Sequence, residues 1–198
     1  MHKIFLAYIH LISTFLDGYL SLILFESIVS RLVKERMKPG DDILISTIYV
    51  STYNSAVLIL SNLINSNPDS IDCFYLINII RDNKKRIENK PKIEELERAI
   101  NDFEFYLNDS KQFAERIKTI RDKRVGHVDR KIVNDPDAIK LDLPIKYRDM
   151  NEKYSTIRSH LQTIGNLIGE EANLSAPLAL LDPPIEMLSK RGQILFQD

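Results

Sequence analysis

Apolar residues recur at helical spacing along most of the chain, and clusters of Pro, Gly and Asp separate the apolar stretches. This pattern predicts five helices, over about 3–37, 43–65, 68–90 and 93–120 and from about Asp149 to beyond Ile168. No internal repeat interrupts the pattern. We therefore expect an all-α fold, an up-and-down bundle of about five helices.

The fourth predicted helix has the clearest period. Its core-facing positions alternate steps of three and four for over seven turns, and they lead directly to Arg121: Ile93, Leu96, Ile100, Phe103, Leu107, Ser110, Phe113, Ile117 and Ile120. The second predicted helix is rich in β-branched residues, which also suit strands. Its length without Gly or Pro favours a helix there as well.

The N-terminal stretch, residues 4–25, is apolar enough to suggest a signal peptide or a membrane span. Five polar residues in it recur at helical spacing, however, and would share one narrow stripe: His10, Ser13, Thr14, Asp17 and Ser21. Because an acidic side chain is costly in hydrocarbon, a core helix with one polar stripe is favoured. We expect a cytoplasmic protein that makes no membrane contact.

The chain is predicted to divide into a helical domain, residues 1–172, and a C-terminal arm, residues 173–198. The arm is too apolar for a solvated tail, so we expect it to dock. The sequence leaves open whether it docks on its own bundle or on a partner. Its large apolar residues are Leu178, Leu180, Leu181, Ile185, Leu188, Ile194, Leu195 and Phe196.

Composition narrows the classes of function. The net charge of −1 gives no overall electrostatic attraction to nucleic acid, so any such attraction must be local. The one cysteine, Cys73, stands in an apolar context and is expected to be a small buried side chain. The four histidines lie far apart without metal-ligand spacing, and there is no glycine-rich phosphate loop. We expect neither a metal nor a cofactor.

The segment 116–131 is locally basic, with seven Lys or Arg residues against two Asp. Such a patch concentrates phosphates and contacts a nucleic-acid backbone without reading its sequence. A run of this kind is also typical of the solvated end of a long helix. Composition alone favours the second interpretation.

Within this segment, Arg121-Asp122-Lys123-Arg124-Val125-Gly126-His127 resembles the signature of the HEPN superfamily, an arginine, a polar residue and then a histidine several residues later. The flanking residues are most similar to the abortive-infection, phage-defence members. The layout agrees, since the motif follows a long helix in the C-terminal half of an all-α chain. The resemblance covers about residues 1–172.

The resemblance implies a homodimer in which two copies of the motif form one composite cleft. It also implies metal-independent RNA cleavage, in which the ribose 2′-hydroxyl attacks the adjacent phosphate and leaves a cyclic phosphate. His127 would be the acid or base and Arg121 would hold the phosphate, because imidazole titrates near neutral pH and guanidinium stays charged. Asp122 would orient one of these groups. Further contacts to RNA would come from nearby cations: Lys118, Lys123, Arg124 and Arg130. An antitoxin protein is a candidate partner.

The spacing leaves two choices for the phosphate ligand. In a straight helix, Arg121 and His127 differ in direction by about 240° and do not converge, whereas Arg124 shares the face of His127. Either the helix breaks near Gly126 and brings Arg121 to His127, or it continues and Arg124 binds the phosphate. The family pattern favours Arg121.

Two functions from different classes remain open. The first is a metal-independent endoribonuclease acting as a toxin or phage-defence effector. The alternative is a catalytically inactive helical module of the same fold that binds RNA, a nucleotide or a protein partner. Both share the basic patch, so an activity assay is needed to separate them.

Overall fold

The computed structural model describes residues 2–37, 42–67, 69–84, 90–120 and 145–172. These residues form six α-helices and no strand, which confirms the all-α prediction. The helices are α1 (His2–Glu35), α2 (Ile43–Ile64), α3 (Cys73–Asn83), α4 (Lys90–Asp109), α5 (Lys111–Ile120) and α6 (Tyr147–Ala172). The C-terminal arm, residues 173–198, lies outside the described residues.

The two most apolar helices, α1 and α2, follow one another along the chain and pack together. α1 ends at a left-handed residue, Arg36 with φ 55°, and the amide of Met37 then donates to the carbonyl of Leu32 at 3.0 Å. α2 begins after Asp42, whose carboxylate accepts from the amides of Leu44 and Ile45 at 2.7 and 3.1 Å. The β-branched composition of α2 does not prevent a helix, because tertiary packing outweighs that weak preference.

α3 begins later than the sequence predicts. The predicted start near residue 68 is wrong, since the capping residue is Asp72, whose carboxylate accepts from the amide of Tyr75 at 2.8 Å. The same carboxylate accepts from the amide of Asn67 at 2.8 Å, so it also fixes the preceding turn. The helix ends at Asn83 instead of continuing to Lys90.

The predicted single helix over 93–120 is two helices, which accounts for six helices in the described residues where about five were expected. A turn at Ser110 separates α4 from α5, although hydrogen bonds continue on both sides of it. The Ser110 amide donates to the carbonyl of Tyr106 at 3.0 Å, and the amide of Ala114 donates to the Ser110 carbonyl at 2.9 Å. The apolar period therefore survives the division.

α6 begins at Tyr147, two residues before the predicted start near Asp149, which lies instead in the first turn. An acidic side chain in that position still suits the positive end of the helix dipole. α6 packs against α1 and α4, and α5 packs against α2. The core is built around α1 and α2, and its largest fully buried side chains include Tyr8, Tyr53, Tyr154, Phe15, Phe25 and Phe103.

Candidate functional site

The predicted site residues lie outside the described residues, with one exception. Arg121, Asp122, Lys123, Arg124, His127 and Arg130 all belong to the segment 121–144, which is not described. Lys118 is described, and it lies exposed in the last turn of α5. The choice between Arg121 and Arg124, and the roles of Asp122 and His127, therefore stay predictions.

The helix that leads to the motif is held by packing on one face. Ala114 and Ile117 of α5 are buried, and α5 lies against α2. The side-chain amide of Asn65, at the end of α2, donates to the carbonyl of Ala114 at 3.5 Å. The direction in which the chain approaches Arg121 is thus set by apolar contacts of α5. A cation such as Lys118 in a last turn also suits the negative end of the helix dipole.

The start of α5 is fixed by a lysine that sequence reasoning did not single out. The ammonium group of Lys153, on α6, donates to the hydroxyl of Ser110 at 2.9 Å. It also lies over the rings of Tyr106 and Phe113, 4.9 and 5.4 Å from their centroids. Lys153 therefore joins α6 to the point where α4 gives way to α5, through one hydrogen bond and two cation–π contacts.

The chain that follows the undescribed segment is anchored on α2. Ile145 is buried, and its carbonyl accepts a hydrogen bond from the buried hydroxyl of Tyr53 at 3.3 Å. The amide of Ile145 donates in turn to the hydroxyl oxygen of Tyr53 at 3.3 Å. Since Ala114 is held at the end of α2 and Ile145 is held at Tyr53, contacts to one helix fix the chain before and after the motif.

The structure describes the side chains of two of the four histidines, His10 and His160. His10 is exposed on α1. His160 is half-buried and stacks on Phe103, with ring centroids 4.7 Å apart, and it lies 5.5 Å from the ring of Tyr106. Burial lowers the pKa of His160, and the nearby Asp102 opposes that shift. This environment favours a neutral imidazole that packs as an aromatic ring.

The basic stretch that begins at Arg81 is partly occupied by ion pairs. Arg81 donates to both carboxylate oxygens of Glu104, at 2.9 and 2.5 Å, and this hydrogen bonding lowers the pKa of Glu104. Lys84 pairs with Glu97 at 2.6 Å. These contacts join α3 to α4, which favours a structural role for Arg81 and Lys84.

The interpretation of Cys73 as a small apolar side chain is confirmed. Its side chain is fully buried at the start of α3, and burial raises the pKa of its thiol. Because the thiolate is the reactive form, a buried thiol with a raised pKa reacts slowly.

Two of the described helices are long and apolar enough to cross a membrane, over Lys3–Glu35 and Ile43–Ile64. Length and composition alone do not separate a membrane span from the core helix of a soluble protein or a signal sequence. The predicted polar stripe of α1 does meet the surface: His10, Ser13 and Asp17 are exposed, whereas Thr14 and Ser21 are half-buried.

No known family, characterised protein or solved structure matches the chain significantly. Its function must therefore be argued from its own residues and their arrangement.

Proposed function

We propose that the protein is a metal-independent endoribonuclease of the HEPN type that acts as a homodimer in toxin activity or phage defence. The observation that carries the proposal is the sequence Arg121–His127, which begins directly after α5 in an all-helical chain. We also propose the up-and-down order of helices over the whole chain and the apolar C-terminal arm.

The proposed chemistry uses groups suited to phosphodiester transfer. His127 takes the proton of the ribose 2′-hydroxyl, and the freed oxygen attacks the adjacent phosphorus. The bond to the 5′-oxygen breaks, and His127 of the second copy protonates that leaving oxygen. Arg121 binds the phosphate and its developing charge, and Asp122 orients one of these groups.

The described residues support the proposal through the surroundings of the motif. The packing of α5 on α2 gives the chain a fixed approach to Arg121. Lys118 is exposed one turn before the motif, where an ammonium group suits an RNA phosphate. Of the two histidines with described side chains, His160 is packed against the ring of Phe103, which suits a structural role.

We also propose that the protein is cytoplasmic and not embedded in a membrane. Lys3, His10 and Asp17 are exposed along α1, and Thr47 and Ser51 are exposed along α2. Ionised side chains such as those of Lys3 and Asp17 are costly against hydrocarbon.

The test is cleavage of total cellular RNA by the purified full chain in the presence of EDTA. We expect cyclic-phosphate ends and no cleavage of DNA, because DNA lacks the attacking 2′-hydroxyl. We expect His127→Ala to lower the cleavage rate by at least about 100-fold, the size of a lost general acid or base. Arg121→Ala should cost about as much. His10→Ala is the matched control, because it removes an exposed imidazole, and it should leave the rate unchanged.

Three results would contradict parts of the proposal. Absence of cleavage by the unmodified chain would favour the non-catalytic binding module. Full activity in His127→Ala would remove the assigned acid and base. A loss in Arg124→Ala but not in Arg121→Ala would move the phosphate contact to Arg124. Light scattering on every variant shows whether the dimer persists, so loss of activity can be separated from loss of assembly.

A further inference from the structure

An open groove lies between the N-terminal half of α1 and the start of α3, with a volume of about 650 Å³. We call it the α1/α3 groove, and its lining includes Lys3, Leu6, His10, Ser13, Ile71 and Tyr75. Two of its large apolar side chains are exposed to solvent, Leu6 by 51% and Tyr75 by 40%. Apolar surface left open in a concave site is typical of a binding surface.

The direction of α6 brings the end of the described chain to this part of the molecule. Tyr147, near the start of α6, donates from its hydroxyl to the carboxylate of Glu26. Further along α6, the ring of Tyr154 meets that of Phe15 at 5.7 Å, and the carbonyl of Leu161 accepts from Tyr8 at 2.8 Å. The contacts move towards the start of α1 as α6 proceeds, so the two helices are antiparallel.

α6 continues past the first turn of α1. From Leu161 to its end at Ala172 it advances about 16 Å, whereas only about 9 Å separates Tyr8 from the first residue of α1. The chain therefore leaves α6 at the N-terminal end of α1. Tyr8 faces α6, and Leu6 and His10 lie on the opposite side of α1, so the arm must cross one helix to reach the groove.

The spacing within the arm suits that crossing. From Ala172 to Leu178 the extended chain reaches about 20 Å. This length covers both the width of one helix, about 10–12 Å, and the return of about 13 Å along α1 from the end of α6 to Leu6. The apolar residues Leu178, Leu180 and Leu181 follow immediately. From residue 178 to residue 188 the charged residues are Asp182 and Glu186, which complement the exposed ammonium group of Lys3 in the groove.

We propose that residues 178–188 occupy the α1/α3 groove of their own chain. The leucines cover Leu6 and Tyr75, and an acidic residue of the arm lies near Lys3. The arm thereby covers the exposed apolar residues on the side of α1 that lies beside α3. Docking in this manner is independent of whether the protein cleaves RNA.

The test measures the rate at which a bulky maleimide alkylates Leu6→Cys in the full chain at low protein concentration. The native thiol gives little background, because Cys73 is fully buried. Leu44→Cys is the matched control: Leu44 is 65% exposed in the first turn of α2, next to the C-terminal end of α1. We expect Leu6→Cys to react at least about 10-fold more slowly than Leu44→Cys, since a covered site reacts only when it opens.

A second pair of substitutions tests whether the C-terminal arm is the segment that covers Leu6→Cys. Adding Leu180→Asp and Leu181→Asp should raise the Leu6→Cys rate towards that of Leu44→Cys and leave the Leu44→Cys rate unchanged. Circular dichroism and continued protection of Cys73 show that the bundle remains folded. Equal rates for Leu6→Cys and Leu44→Cys before the arm is altered would overturn the proposal. Protection that survives the arm substitutions, or that grows with protein concentration, would also overturn it, because another segment or a second copy would then be the cover.

Discussion

Three buried tyrosines illustrate how single side chains hold this bundle together. The hydroxyls of Tyr8, Tyr53 and Tyr154 donate to the carbonyls of Leu161, Ile145 and Ala56, at 2.8, 3.3 and 2.7 Å. Each bond joins residues at least 92 positions apart. A buried hydroxyl without a partner is costly, so these bonds remove a penalty and also select one arrangement of α1, α2 and α6.

Gly18 marks a close approach of α1 to its neighbours. A Cβ atom at this position would lie 2.3 Å from the hydroxyl oxygen of Tyr154 and 2.9 Å from the Cβ of Ile59. Glycine is unfavourable inside a helix, yet here its missing side chain lets α2 and α6 pack against α1.

We therefore expect Gly18→Ala to lower the free energy of unfolding by about 1–3 kcal/mol, as overpacking does in a core. The sign is informative, because the same change in an exposed helix would stabilise it by up to about 1 kcal/mol. Urea denaturation is the measurement, and Ser30→Ala, at an exposed position of α1, is the control. A Gly18→Ala variant that is more stable than the unmodified chain would contradict the close packing at this site.

At the scale of elements, two aspartates begin helices in different surroundings. Asp42 caps α2 from a half-buried position, whereas Asp72 caps α3 and is only 1% exposed. Burial raises the pKa of Asp72, and hydrogen bonds from the amides of Asn67 and Tyr75 partly offset that shift. The sequence predicts a start near residue 68, whereas the buried carboxylate of Asp72 caps a helix that begins at Cys73.

The two caps provide a matched comparison. Asp42→Ala should lower the free energy of unfolding by about 1 kcal/mol, the usual cost of losing a helix cap. Asp72→Ala should cost about 2–3 kcal/mol, because the amides of Asn67 and Tyr75 then lose a buried charged acceptor. Urea denaturation of both variants at neutral pH checks the order. Equal losses would show that the buried position of Asp72 adds nothing to its capping role.

The junction of α4 and α5 is a second case in which tertiary contacts modify an element. The apolar period runs through Ser110 without a break, so periodicity predicts one helix. Ser110 is buried, and it accepts from Lys153 of α6. A contact between residues 43 positions apart has no trace in local spacing, which is why the division could not be predicted.

At the scale of the whole molecule, the outer faces of α1 and α2 bear on whether the protein lies in water or in a membrane. Both helices are apolar overall, but their exposed positions include Lys3, Asp17, Thr47 and Ser51. We expect the full chain, produced without detergent, to remain in the supernatant after ultracentrifugation and to elute as a discrete species in size-exclusion chromatography. Recovery in the membrane pellet, with release by detergent and not by high salt, would contradict the cytoplasmic proposal.

The candidate site could be named from the sequence because its signal is local. Arginine, aspartate and histidine in the order of Arg121, Asp122 and His127 form a pattern within seven residues, and only Lys118 of the proposed contacts is among the described residues. The residues that hold the chain on either side of the motif could not be predicted from local sequence. Lys153 and Tyr53 act through partners distant in the chain, and their residue types are common on helices of many functions.

The sequence by itself determined that the described chain is helical and which faces are buried, because helix formation depends on a period of 3.6 residues that neighbouring positions already specify. Only the tertiary structure decided where α3 begins, that α4 and α5 separate at Ser110, and which tyrosine meets which carbonyl. Those outcomes depend on contacts between distant parts of the chain. Their free energies, of about 1–3 kcal/mol each, are enough to choose among local conformations that are nearly equal in energy.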